Sequence, residues 1–173
     1  MQQIKLDTPD PAWGPPELGC VNLRLTWKKH LTTSVKALII CSMKFIVDKI
    51  KKQWTPEEVQ YLLDVAESVA LDLGITDIRS EVRFQFLNCN NTYHGYCEKD
   101  SKRVVSMFLF HQNDFDALTK TVAHEMVHVK QFLRGELTNG FKWLGSDAWR
   151  HADYEEQPWE HEAEQYEKEL EIC

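Results

Sequence analysis

FDALTKTVAHEMVHVKQFLRG, residues 115–135, is the stretch from which the rest of the chain can be read. Leu118, Val122, Met126, Val129 and Leu133 recur at spacings of three and four, which places them on one buried face of a helix. Asn113 or Asp114 can cap its start, and Gly135 ends it after Arg134. Within that helix stands His124-Glu125-Met126-Val127-His128. Residues four apart lie about 40° apart around a helix, so both imidazoles can project toward one metal ion, and tetrahedral zinc accepts nitrogen ligands. Glu125 lies about 100° from His124 and about 60° from His128, so it flanks the ion without binding it. A general base for a metal-activated water belongs there.

Two ligands do not make a hydrolytic site, so a third must follow. The elongated motif H-E-x-x-H-x-x-G-x-x-H would need glycine at 131 and histidine at 134, where this chain has Gln131 and Arg134. That class is excluded, and the inverted pattern H-x-x-E-H is absent. A carboxylate on a second helix or a more distant histidine remains. Residues 157–164, QPWEHEAE, open such a helix with Pro158 in its first turn and Trp159, Ala163, Tyr166 and Leu170 as its buried stripe. Glu160 and Glu162 both flank that stripe, and helical geometry alone does not choose between them.

An H-E-x-x-H followed by Glu160-His161-Glu162-Ala163-Glu164 resembles the gluzincins, zinc peptidases in which the first glutamate of E-x-x-A binds the metal. The resemblance implies Glu160 as third ligand, Ala163 as a small packing position, and Glu164 as an acceptor that orients a ligand imidazole. Glu164 is one methylene longer than the Asp or Asn usual there. Phe141 to Gly145 and Tyr154 to Glu160 are also similar to small metallopeptidase-like proteins of phages and bacteria, a likeness covering about residues 55–173 but not 1–42. His151, 23 residues after His128, is the competing third ligand, by resemblance to SprT-like and Spartan-type proteases with H-E-M-x-H and a distant histidine. Glu162 and Glu156 are further alternatives. The resemblance implies a minimal zincin-like fold, Zn2+ as cofactor, and a peptide or protein substrate held extended beside an edge strand supplied by Val104 to Phe110. Tyr154, His151 and Arg150, shortly before the Glu160 helix, are candidate donors to the oxyanion. His30, His94, His111 and His161 read as surface or core residues, and Trp143, Trp149 and Trp159 as packing.

Outward from this centre, Trp54-Thr55-Pro56-Glu57-Glu58 starts another helix: Thr55 can cap, Pro56 suits the first turn, and the glutamates favour the positive helix end. Val59, Leu62, Leu63, Ala66, Val69, Ala70 and Leu73 carry it to Gly74. The period then becomes two: Val82, Phe84 and Phe86 alternate with more polar positions, and Val104 to Phe110 is rich in β-branched and aromatic residues. Turn signals at Asn90-Asn91 and Lys99-Asp100-Ser101 allow a short extra strand near Tyr96. Helix, strands, then helices indicate an α+β fold with a small, mostly antiparallel sheet packed on the H-E-x-x-H helix and the C-terminal glutamate helix. Prolines and glycines over residues 1–20 suggest an extended arm, and residues 35–50 fit either helix or strand. The chain therefore divides into an N-terminal appendage, 1–54, and a metallopeptidase domain, 55–173.

The bulk properties agree with one globular domain. The 173 residues are 43% hydrophobic and 27% charged, which excludes a disordered or collagen-like chain. The longest apolar run, Ala37 to Val47, is too short to cross a bilayer. The absence of a signal-like start and the odd set of cysteines, Cys20, Cys41, Cys89, Cys97 and Cys173, indicate free thiols in the cytoplasm. Residues 1–54 carry a net charge of +5 and residues 55–173 one of −12, so the acidic body is a poor partner for nucleic acid. Two other readings stand beside a peptidase: a hydrolase of cell-wall peptides, and a non-catalytic binding module stabilised by zinc. Glu125 discriminates, since a structural site needs no base and commonly closes with cysteine, yet none lies between Cys97 and Cys173.

Overall fold

In the computed structural model, which describes residues 42–88, 94–112 and 114–171, the first helix starts where its capping residues dictate. α1 spans Pro56–Asp72; the Thr55 hydroxyl accepts from the Glu58 amide, and Glu58 accepts from the Thr55 amide. These reciprocal bonds satisfy two backbone donors that the helix itself cannot. Gly74, at φ 62°, turns the chain out of the helix. α2, Phe115–Arg134, is capped by Asp114 and stopped by Gly135 at φ 75°. α3, Pro158–Glu171, follows a 3-10 turn at Tyr154–Glu156.

Four strands form one sheet: β1 (Lys44–Ile50), β2 (Glu81–Leu87), β3 (Gly95–Ser101) and β4 (Val104–Phe110), in the order β1-β2-β4-β3. The fold is α+β, as expected, but the sheet is mixed rather than mostly antiparallel. β1 with β2 and β2 with β4 run parallel; only β3 with β4 is antiparallel. The cause is connectivity. α1 is a crossover between β1 and β2, which forces them parallel. β3 lies beyond β4 and turns back into it, so β4 enters beside β2 in the same direction.

β1 also moves the expected domain boundary. Residues 44–50 pair with β2, and Trp54 is buried, donating its indole N–H to the Leu87 carbonyl at 2.7 Å. The body therefore begins before residue 55. The arm at 1–20, residues 35–41, His30, Cys89, the Asn90-Asn91 turn and Asn113 lie outside the described residues.

The core lies between one sheet face and the helices. Val82, Phe84, Phe86, Val105, Met107 and Leu109 meet Leu62, Ala66 and Ala70 of α1 and Leu118, Val122, Met126 and Val129 of α2, all fully buried. α2 is the central helix, packed on α1, α3, β3 and β4. No helix among the described residues is long and apolar enough to cross a membrane.

Candidate metal centre

His124 and His128 stand one turn apart on α2 with their rings at 79°, and Glu160 reaches them from the first turn of α3. Trp159 and Ala163, both buried, seat that turn against the body, and the positive helix end favours a carboxylate there. The three donor atoms converge: His124 Nε2 is 3.2 Å from His128 Nε2 and 3.3 Å from Glu160 Oε2, and His128 Nε2 is 3.5 Å from the same oxygen. Among the described residues, this is the His, Cys, Asp and Glu group that could hold a metal ion.

The spacing itself tests the fit. Zinc bonds to nitrogen and oxygen of ~2.0–2.1 Å in a tetrahedron place neighbouring donors about 3.3–3.4 Å apart. The observed edges bracket that length. Two imidazole nitrogens facing at 3.2 Å also repel through their lone pairs unless a proton or a metal cation lies between them. The same demand appears in the proton affinity of His128: burial disfavours its charge, yet Glu160, Glu125 and Gln131 raise its pKa to about 9. Burial likewise disfavours the Glu160 carboxylate, but the neighbouring His124, His128 and Tyr154 side chains outweigh it and hold the group well below the ordinary carboxylate range.

Glu125 is buried beside this group, and its Oε2 has no hydrogen-bond partner. Burial raises its pKa against the opposing pull of His128 and His124. The Cys97 thiol, free and raised well above its usual pKa by burial, donates to the Glu125 carbonyl at 3.4 Å. β3 begins against the same residue. A Cβ at Gly95 would lie 2.7 Å from Thr121 Cγ2 and 3.3 Å from Glu125 Cγ, so only glycine permits this approach.

β3, rather than Val104 to Phe110, is the edge strand; β4 is interior, between β2 and β3. The His94 carbonyl bonds inward to β4, and Lys99 points the other way, its N–H and C=O taken by the Asn139 side chain at 3.2 and 2.7 Å. By strand alternation, the backbone groups of Gly95 and Cys97 face outward with Lys99.

The other candidates separate. Glu162 is turned away from the ligand atoms, accepting from Lys130 and from Gln131 Nε2. His151 and Glu156 are exposed and outside the group. Tyr154 is half-exposed but stands close enough to Glu160 for partial burial and that carboxylate to push its pKa strongly upward, with Glu164 and Glu125 also near enough to act on it. Glu164 faces Lys168 at 3.5 Å; the carboxylate opposite His124 Nδ1, at 3.5 Å, is Glu167. The reason is rotation: Glu167 lies two turns beyond Glu160 on nearly the same helix line, whereas Glu164 is offset by about 40°. Trp143 and Trp159 pack within 6.3 Å of each other, as expected, but Trp149 is exposed. His94 and His161 are exposed, and His111 stacks edge-on against Trp54.

Two contributors escaped the sequence reading. Gln131 accepts from His128 Nδ1 at 2.8 Å, and Glu167 stands behind His124. The i,i+3 spacing of His128 and Gln131 was a usable signal, because such residues share a helix face. Compared with family models, curated proteins and solved structures, the chain has no match.

Proposed function

We propose that the protein is a zinc-dependent metallopeptidase. The observation that carries this reading is a triangle of donor atoms with tetrahedral edge lengths beside a buried glutamate with an unpartnered oxygen. His124, His128 and Glu160 would hold the ion. Zinc bound there would supply Lewis acidity toward a carbonyl and activate water near neutral pH.

The protein's own groups do the rest. Glu125 Oε2 takes the proton from the attacking water and delivers it to the departing amine; burial raises its pKa, which favours holding the proton between the two transfers. The Tyr154 hydroxyl, near enough to Glu160 to feel its charge, would donate to the developing oxyanion. An extended peptide can bond to the outward backbone of Gly95 and Cys97, which begins against Glu125. The binding-module reading is disfavoured because a buried, unpartnered carboxylate oxygen costs stability without serving a structural ion.

Elemental analysis of purified protein tests the proposal. One zinc per chain is expected in the wild type, weakened in Glu160→Ala and retained in Glu125→Gln and His151→Ala. Peptide-library hydrolysis should disappear in Glu160→Ala and Glu125→Gln and persist in His151→Ala. A wild-type protein that takes up no divalent metal on reconstitution ends the peptidase reading.

A further inference from the structure

Gln131 is fully buried on α2, three residues after His128. Its amide has one admissible orientation. The nitrogen lies 2.9 Å from the Trp159 carbonyl and 2.9 Å from Glu162 Oε2, and both are acceptors that only the NH2 group can serve. Its oxygen therefore faces His128 Nδ1 at 2.8 Å, and that ring nitrogen must donate. His128 Nε2 is left to point at the ligand triangle. Trp159 and Glu162 flank Glu160 in sequence, so a single amide is bonded to the ring of one ligand and to the helical turn that carries another.

We propose that Gln131 is a positioning residue that couples the histidine pair on α2 to Glu160 on α3. The proposal rests on the metal-centre reading above. Lys130 completes the arrangement: it donates to the other oxygen of Glu162 and pairs with Glu136 at 3.3 Å, which keeps Glu162 out of the ligand group. Gln131 and Arg134, which rule out the elongated motif, thus have structural work of their own. Arg134 binds the Leu73 carbonyl at the end of α1 at 3.0 Å.

The experiment uses the full chain with 15N-labelled histidine and zinc as the probe. In the wild type the Nδ1–H proton of His128 should exchange slowly with solvent. Gln131→Leu, similar in volume, should lose that protection while circular dichroism stays unchanged. Its zinc affinity, read by chelator competition, should fall on the order of 10–100-fold, the usual effect of removing a partner behind a metal-binding histidine. Slow exchange together with wild-type zinc affinity in Gln131→Leu overturns the proposal. Should that variant not fold, Glu162→Ala removes one of the amide's two anchors from the more exposed side. Faster exchange and weaker zinc binding are then expected, and unchanged values overturn the proposal. Exchange is measured in zinc-free protein as well. Failure of the wild type to bind zinc would sink the peptidase reading, yet the proton would still decide the role of Gln131.

Discussion

Lys130 on α2 donates to Glu162 on α3, an ion pair with the lysine side chain buried and the glutamate partly exposed, joining the two helices that carry the candidate ligands. Replacing Lys130 by methionine keeps its apolar stem and removes the charge. A loss of about 1–2 kcal/mol is expected, the range for a charge-assisted bond discounted for the solvent on the glutamate side. Urea unfolding measures it, and an unchanged midpoint would show that the pair contributes nothing.

Gly95→Ala should disturb the base rather than the ligands. The added methyl meets Thr121 Cγ2 at 2.7 Å and the Phe108 carbonyl at 3.2 Å, so a cost of about 1–3 kcal/mol is expected from overpacking. Thr121→Ser removes the closest atom while keeping the hydroxyl that bonds the Ala117 carbonyl. The double variant should melt above Gly95→Ala alone. Equal melting temperatures would place the strain elsewhere.

Tyr154→Phe should keep zinc and lose turnover. Removing one donor to an oxyanion lowers kcat by about 10²–10³-fold with little change in KM. Steady-state kinetics on a peptide substrate checks this, and a wild-type kcat would assign the oxyanion contact to another group.

The stability of the zinc-free protein should fall as pH rises. Burial disfavours protonated His128, but Glu160, Glu125 and Gln131 raise its folded pKa from 6.5 to about 9. A raised folded value stabilises fully below pH ~6.5 and is lost as pH climbs through about 9, a difference of roughly 3 kcal/mol. Zinc must displace that proton, so the stabilisation it brings should grow over the same window. Thermal melts with and without zinc test both signs. A zinc-free melting temperature flat across the window would refute the raised pKa.

Much of this architecture was legible in the chain because it is locally encoded. Thr55, Glu58 and Gly74 bracket α1 through bonds within a few residues of each other, and the alternation of Val82, Phe84 and Phe86 marks β2 whatever lies beside it. β1 was ambiguous because its alternation breaks: the pairing register shifts between Val47 and Lys49. Strand direction was illegible for a different reason, since the place of β3 beyond β4 depends on contacts remote in sequence. The choice of Glu160 over Glu162 is likewise tertiary. Both flank the buried stripe of α3, and what separates them is Lys130 and Gln131 on another helix.

Asn139 has a consequence for the solution behaviour of the chain. An unpaired sheet edge is an invitation to self-association, because any other strand can dock on its bare amides. Here the Asn139 side chain imitates a neighbouring strand at Lys99, and Glu98, Lys99 and Asp100 add charge around that point. The stretch left for pairing is confined to the Gly95–Cys97 end, too short to seed a stacked sheet. The molecule can thus keep an edge open for recognition while remaining protected against aggregation through it.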